Sequence, residues 1–261
     1  MSAVLFERID NIAWITLNRP HAFNAMDEDA MRRLSELANQ CACDSSLRAV
    51  VITGSGDKAF SAGGDVAAFA DDPDSVDRLL MDMTTYFHSA IARLSRLPLP
   101  VIGAINGMTA GAGLGLMACC DLVIAADTAR FTSAYTQIGF SPDGSTSYYL
   151  TQQIGPRRAK EFFMTNRVLD AATALDWGLV NRVVPADRLE ATVQELAKML
   201  ATGPTLAYAK VKQLVGSAHT ATLESQMELE SQSIAALSKT LDGREGVQSF
   251  IAKRPAQFSG R

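Results

Sequence analysis

The chain has 261 residues, 48% hydrophobic and 20% charged, a balance typical of a globular protein with an extensive core. Its formal net charge of −4 provides no overall basic surface, so we do not expect nucleic acid as a partner. We find no apolar run of about 18 residues and no signal-peptide pattern, so we expect no membrane-spanning helix and a cytoplasmic location.

Metal binding is not expected from the cysteines and histidines. The four cysteines contain no Cys-x-x-Cys pair, and the chain has three histidines. Zinc sites space their thiolates and imidazoles in pairs separated by a few residues, such as Cys-x-x-Cys, and this chain has no such pair. Cys119 and Cys120 lie in an apolar run, and we expect them to be small core residues of a protein from a reducing compartment.

In chain order, the first predicted elements are a hairpin, a helix and a strand. Residues 4–18 form two alternating apolar runs around the turn pair Asp10-Asn11. Apolar residues recur at helical spacing over 31–41, after acidic residues that suit a helix N-terminus. Residues 48–54, "RAVVITG", then predict a short buried strand.

The middle of the chain repeats strand, loop and helix. A loop is expected over 57–69, and the acidic segment 71–85 is expected to be mobile, before a helix that stops near Leu97 at "PLP". Buried strands are predicted at 100–105 and 121–126, with a glycine-rich segment and a helix between them. This recurrence favours an α/β architecture whose sheets are stacked or wound in successive turns.

The last third is predicted to be helical, apart from a short strand in "GLVNRVVP". The resulting tail is too elongated to form its own core, so it should pack on the body or on another subunit. The predicted helices cover 146–165, 171–177, 187–201, 204–217, 220–239 and 242–252.

A dense glycine cluster follows the strand at 100–105. Its glycines are Gly107, Gly111, Gly113 and Gly115. It does not fit a dinucleotide fingerprint, because Leu116 stands where the third glycine is required. Glycines at a strand-to-helix turn can instead expose backbone N–H groups, which stabilise an oxyanion. The second such loop is "SAGGD" at 61–65, and both loops have a simpler interpretation as tight turns.

Several stretches together resemble the enoyl-CoA hydratase/isomerase, or crotonase, superfamily. They are "LNRPHAFNAM", "AFSAGGDV", "PVIGAINGMTAGAGLGLMACCDLVIA" and "TNRVLDAATALDWGLVNRVVP", and the resemblance extends from about residue 5 to the C-terminal "AKRPAQFSGR". It implies a spiral of repeated ββα turns over 1–195 and a helical C-terminal region over 196–261 that joins subunits into trimers or dimers of trimers. It also implies an acyl-CoA thioester substrate, with coenzyme A as part of the substrate and no separate cofactor.

The resemblance also implies site residues. Two peptide N–H groups, those of Gly64 and Ala112, match the donors that polarise the thioester carbonyl and stabilise the enolate. Residues matching substrate-binding segments are Ala22 and Phe23 for the coenzyme A nucleotide, Ala62, Asp65 and Val66 for the pantetheine arm, and Phe250 and Lys253 for a C-terminal approach to the nucleotide.

The catalytic carboxylates of the family's hydratases are missing. Their two glutamate positions are Gly115 and Tyr135 here, so simple hydration is not expected. A carboxylate does occur at Asp143, in "GFSPDGSTSYYL", where a turn aspartate is the plain alternative. Isomerases that resemble this chain, including the branch acting on ring-epoxidised phenylacetyl-CoA, carry an acid there. We therefore expect an acyl-CoA isomerase with Asp143 as acid and base.

Resemblance to a second branch, the chlorobenzoyl-CoA dehalogenases, leaves other functions possible. There the matching aspartate is a nucleophile, and His88 matches a further active-site histidine. In that branch a tryptophan occupies the position of Tyr135 and an aromatic residue occupies the position of Gly64, so this chain does not reproduce the pocket that binds the aromatic ring. The alternatives are therefore a dehalogenase or hydrolase, a hydratase with other acid and base groups, or an acyl-CoA-binding scaffold; His88 and Tyr135 are candidate substrate-binding residues.

Overall fold

Strands and helices alternate through the first two thirds of the computed structural model, which describes residues 2–71 and 74–261. The strands are β1 (Val4–Ile9), β2 (Ile12–Leu17), β3 (Ala49–Gly54), β4 (Ala59–Ser61), β5 (Val101–Ile105), β6 (Met108–Ala110), β7 (Leu122–Ala126), β8 (Arg130–Thr132), β9 (Leu169–Asp170) and β10 (Arg182–Val184). The helices are α1 (Glu28–Cys43), α2 (Ala67–Asp71), α3 (Val76–Leu94), α4 (Ala112–Ala118), α5 (Thr146–Thr165), α6 (Ala171–Trp177), α7 (Leu189–Ala201), α8 (Thr205–Ser217), α9 (Leu223–Leu237) and α10 (Leu241–Ile251).

The strands form two sheets, in the orders β1-β2-β3-β5-β7-β10 and β4-β6-β8-β9. Pairing in the first sheet is parallel except within the β1–β2 hairpin. The middle turns of the chain each add one strand to each sheet and then a helix, as in β5-β6-α4 and β7-β8-α5. The predicted spiral of ββα turns is confirmed.

The predicted hairpin is also confirmed, with Asp10 at φ 55° in its turn. The acidic segment predicted to be mobile contains the first half of α3, which begins at Val76. The helix that was expected to follow this segment therefore begins earlier than predicted, because apolar side chains at helical spacing bury Met83 and Phe87. Residues 72 and 73 lie outside the described residues.

Alternate residues of the central strands pack into two separate cores. Val50 and Ile52 of β3 contribute to the larger core with α1 and α3. Ala49 and Val51 face the opposite side, where they pack with apolar residues of α7. This alternation is the period-two pattern of a strand that is covered on both faces. Helix α7 runs through the predicted boundary after residue 195 and packs on the sheet as far as Ala201.

Two polar contacts attach the C-terminal helices to the sheet. The Lys212 ammonium on α8 donates to the Asp121 carboxylate at 2.7 Å and to the Leu94 carbonyl at 3.0 Å. The Asp121 carboxylate also accepts a hydrogen bond from the Val101 N–H at 2.8 Å. Burial raises the pKa of Asp121, although the Lys212 ammonium acts to lower it. Arg48 donates to the Gly203 carbonyl at 2.5 Å. The start of α8 is therefore bound to the ends of the central strands.

The cysteines are free, and Cys41, Cys119 and Cys120 are buried, as expected for core residues. Over the described ranges, no helix is both long enough and apolar enough to cross a lipid bilayer.

We predict that Asp121→Ala destabilises the fold by about 2–4 kcal/mol, because it strands a mostly buried ammonium and a strand N–H without an acceptor. Chemical denaturation measures the difference. The control is Asp176→Ala, which removes an exposed partner of Arg158 at 3.9 Å and should cost less than about 1 kcal/mol. Equal effects of the two variants would contradict a structural role for the Lys212–Asp121 pair.

Candidate active site

Two glycine turns touch each other at the ends of β4 and β6. Gly63 and Gly111 have φ angles of 97° and 51°, which side chains rarely adopt. A Cβ on Gly63 would lie 2.9 Å from the Ala110 carbonyl oxygen and 3.1 Å from the Ala112 nitrogen. The two glycine-rich loops singled out in the sequence therefore meet backbone to backbone.

This contact leaves two N–H groups available. Around Gly64, Met26 donates to the Gly63 carbonyl at 2.7 Å, and Asp65 donates to the Met26 carbonyl at 3.0 Å. Ala112 begins α4, where the first N–H groups have no acceptor within the helix. Among the described residues, the N–H groups of Gly64 and Ala112 donate to no other group. Two free donors from neighbouring segments suit an oxyanion.

Asp143 and Tyr135 form a hydrogen-bonded pair beside these turns. The Tyr135 hydroxyl donates to Asp143 Oδ1 at 2.6 Å. A Cβ on Gly111 would be 4.0 Å from Cζ of the same tyrosine ring. Tyr135 therefore lies between the glycine turn and the carboxylate. Burial raises the pKa of Tyr135, and the neighbouring carboxylate raises it further, so the hydroxyl stays protonated and acts as a donor.

His88 approaches the same carboxylate from α3. Its Nε2 lies 3.9 Å from Asp143 Oδ2, beyond hydrogen-bond distance, and it accepts the Gly144 N–H at 3.2 Å. The main chain therefore occupies this ring nitrogen, and Asp143 does not hydrogen-bond to it. The side chain of Asp143 is 34% exposed, which leaves the carboxylate accessible.

Close backbone packing holds the loop that carries Asp143. A Cβ on Gly115 would overlap the Gly144 carbonyl oxygen, and a Cβ on Gly144 would overlap the Phe87 ring. Ser145 continues the turn at φ 65°, a left-handed conformation that costs a non-glycine residue about 1–2 kcal/mol. The space beside Gly115 is therefore filled by the main chain of this loop.

Aromatic side chains extend the site on its apolar side. The Phe69 and Phe140 rings lie 6.1 Å apart, and Phe69 would be 3.5 Å from a Cβ on Gly64. Phe140 is 37% exposed and Ile138 is 44% exposed, so apolar surface remains open here. Sequence reasoning did not assign Phe69 to the site, although it follows "SAGGD" by only a few residues and is the first aromatic residue after that loop.

The residues matched to coenzyme A segments lie in several places. Ala22 ends a 3-10 turn, and Phe23 is half exposed at φ 52°. Phe23 also lines a pocket of about 280 Å³. Ala62 donates to the Phe23 carbonyl at 2.9 Å, and Val66 is 48% exposed. These residues bring the first loop against the "SAGGD" loop.

Asp65 has structural partners. Its carboxylate pairs with Arg19 at 2.8 Å and accepts the Ala67 N–H at 3.3 Å, so it holds the start of α2. Phe250 and Lys253 lie at the end of α10, where Phe250 is 86% exposed. Within the described part of the chain, no hydrogen bond or ion pair connects this end of α10 to the group around Asp143.

A family model described as enoyl-CoA hydratase/isomerase matches residues 7–261. The 1,2-epoxyphenylacetyl-CoA isomerase of Escherichia coli (strain K12) is 36% identical over 262 residues, covering 100% of both chains. The 4-chlorobenzoyl coenzyme A dehalogenase-2 of an Arthrobacter species is 37% identical over 231 residues, 88% of this chain and 83% of that protein. The crystal structure of an enoyl-CoA hydratase from Bacillus anthracis has a TM-score of 0.93 at 29% identity, covering 99% of this chain and 100% of the other.

We predict that Gly115→Ala destabilises the protein by about 1–3 kcal/mol, because the new methyl group overlaps the Gly144 carbonyl. The matched control is Gly216→Ala in α8, where a Cβ meets nothing within 4 Å. That change should be neutral or should stabilise by up to about 1 kcal/mol. Thermal denaturation compares the two variants, and a wild-type melting temperature for Gly115→Ala would contradict the close contact.

Proposed function

Because the chain belongs to the enoyl-CoA hydratase/isomerase family, we propose that it is an acyl-CoA isomerase that relocates a proton through an enolate. The observation that carries the proposal is the placement of Asp143. Its Oδ1 accepts a hydrogen bond from Tyr135, whose ring lies near the glycine turn at Gly111, and its Oδ2 faces His88. A base next to an oxyanion site is the minimum that proton transfer on a thioester requires.

In this proposal the N–H groups of Gly64 and Ala112 bind the thioester oxygen. Negative charge grows on that oxygen when a proton leaves carbon, so donors that are already oriented stabilise the enolate more than the ground state. The chain needs no separate cofactor for this step, and coenzyme A arrives as part of the substrate.

Asp143 acts first as base and then as acid. The carboxylate takes a proton from one carbon of the acyl group, the electron pair passes into the enolate, and the resulting carboxylic acid returns the proton at another carbon. One carboxylate therefore completes the cycle without net consumption of water or protons. The products are a shifted double bond or a rearranged ring epoxide.

Hydration is disfavoured by the same geometry. The position where the family's hydratases carry one glutamate is Gly115, and the Gly144 carbonyl fills the space a side chain would need. The other position is Tyr135, whose protonated hydroxyl donates to Asp143. Neither position supplies a second carboxylate, so addition of water across a double bond lacks one of the two acid–base groups that it needs.

The substrate class follows from the walls of the site and from the relatives. Phe69 and Phe140 offer an apolar, aromatic surface next to Gly64. This surface suits an unsaturated or cyclic acyl group, such as a β,γ-enoyl or an epoxidised phenylacetyl thioester. The Escherichia coli relative is an isomerase of the second kind.

The coenzyme A part is proposed to bind along the predicted segments. The nucleotide would contact Ala22 and Phe23, and the pantetheine arm would pass Ala62, Asp65 and Val66. Phe250 and Lys253 are proposed to reach the nucleotide from α10.

A dehalogenase or hydrolase with Asp143 as nucleophile is the second candidate. It is favoured by the Arthrobacter relative and by His88, whose Nε2 is 3.9 Å from Asp143 Oδ2. It is disfavoured by Tyr135 and Gly64, which stand where that branch carries a tryptophan and an aromatic residue, so the pocket that binds the aromatic ring there is not reproduced.

The protein is further proposed to form a trimer or a dimer of trimers through α8–α10. These helices expose a series of large apolar side chains that a soluble monomer rarely leaves in water. They are Val211, Val215, Leu223, Met227, Ile234, Leu241, Val247, Phe250 and Ile251.

We predict a solution mass of three or six times 28.0 kDa by light scattering at micromolar concentration. Ile234→Glu places a charge on the apolar face and should lower the mass, whereas Met81→Glu, at a comparably exposed residue of α3, should not. A wild-type mass of one chain would contradict the assembly.

We predict that Asp143→Asn lowers the rates of isomerisation and of acyl-proton exchange with deuterated solvent by a factor of at least about 100, while acyl-CoA binding persists. The amide keeps the shape of the carboxylate and cannot take a proton. The matched control, Asp176→Asn on the surface of α6, should retain both activities.

A single turnover in ¹⁸O-labelled water separates the two candidates. An isomerase leaves Asp143 unlabelled, whereas a nucleophilic aspartate acquires solvent oxygen when its ester is hydrolysed. Wild-type proton exchange by Asp143→Asn would contradict the isomerase proposal and leave Asp143 as a turn residue.

A further inference from the structure

We propose that Tyr135 is a positioning residue that engages one oxygen of Asp143 and leaves the other to take the substrate proton. The inference rests on the proposed isomerase function and specifies which carboxylate oxygen, Oδ2, acts as the base. Its geometric basis is the 2.6 Å hydrogen bond from the Tyr135 hydroxyl to Oδ1.

The tyrosine is held firmly enough to orient its partner. It begins a 3-10 turn, Tyr135–Ile138, between Ala134 at φ 61° and Gly139 at φ 76°. A left-handed conformation at an alanine persists only where the surrounding structure enforces it. On its other side the ring lies near Gly111, as described above. The same side chain therefore lies near the turn at Gly111 and hydrogen-bonds to the proposed base.

The two oxygens of Asp143 have different surroundings. Oδ1 accepts a short hydrogen bond, and such bonds to an ionised group are roughly twice as strong as neutral ones. Oδ2 faces His88 Nε2 at 3.9 Å, and this nitrogen already accepts the Gly144 N–H. Within the described residues, Oδ2 accepts no hydrogen bond, so its lone pairs remain available to a carbon-bound proton.

The groups that face Asp143 are few. Tyr135 contacts it from the 3-10 turn and His88 from α3, while Thr146 of α5 donates to its main-chain carbonyl at 2.5 Å. A hydroxyl donated to a carboxylate favours the ionised form. Loss of that donor should therefore require a higher pH to keep the base ionised.

The test is Tyr135→Phe, which removes the hydroxyl and retains the ring. We expect kcat to fall by about 10–100-fold with little change in KM, because orientation of the base matters in the transition state. We also expect the acidic limb of the kcat profile to move to higher pH, because the variant loses a hydrogen bond to the carboxylate. The matched control is Tyr86→Phe in α3, whose ring lies 5.9 Å from the Arg32 guanidinium, and it should leave both properties unchanged.

A wild-type kcat and pH profile for Tyr135→Phe would overturn the inference, and so would an effect confined to KM, which indicates a pocket wall. Asp143→Asn in the same assay separates a failure of this inference from a failure of the proposed function. If that variant is inactive while Tyr135→Phe behaves as wild type, the inference alone fails. If Asp143→Asn retains isomerisation, the proposed function fails.

A second measurement covers the case in which Tyr135→Phe does not fold. Site-specific replacement of Tyr135 by 3-fluorotyrosine preserves the ring and makes the hydroxyl a stronger donor. The acidic limb should then move to lower pH, and an unchanged limb would count against the positioning role.

Discussion

Close approach between main-chain segments, without an intervening Cβ, is the constraint on which the rest of this site depends. Gly63 meets the turn at Gly111, and Gly115 meets the carbonyl of Gly144. Each contact joins segments that are distant in sequence. A single added methyl group at either place would separate a donor loop from its neighbour or displace the loop that carries the carboxylate.

These contacts also determine which chemistry the site favours. Filling the space beside Gly115 with a carbonyl removes room for a second acid and fixes the turn that presents Asp143. The remaining carboxylate is flanked by a hydroxyl that donates and an imidazole nitrogen that is already occupied. A site with one accessible base and two free N–H groups favours moving a proton over adding water.

The frame around the site is divided between two cores and a helical tail. The central sheet is covered on one face by α1 and α3 and on the other by α7, so its strand ends are held rigidly. The tail is attached to those ends through Lys212 and Arg48, while its outer faces expose apolar side chains. An isolated chain therefore has a buried core, but the outer faces of its C-terminal helices expose apolar side chains. This exposure is the physical argument for the proposed assembly.

Local sequence patterns were sufficient to predict the long elements and to single out a candidate carboxylate. Helices at 146–165 and 171–177 were predicted to their observed ends, although the first is interrupted at Gly155, where φ is 78° just before Pro156. The strands β4, β6 and β8 have three residues each, which is too few for a periodic signal, so the sequence did not predict them. Asp143 was identifiable because it is the one acid in its stretch of sequence.

What the sequence alone determined, therefore, was the ββα spiral, the family and the candidate carboxylate. Only the tertiary structure decided that Tyr135 donates to Asp143, that His88 accepts from Gly144, and that a carbonyl fills the space beside Gly115. These three relations depend on left-handed turns and on contacts between separate loops. Their geometry is set by the packing of the whole spiral, and no local pattern of residues encodes it.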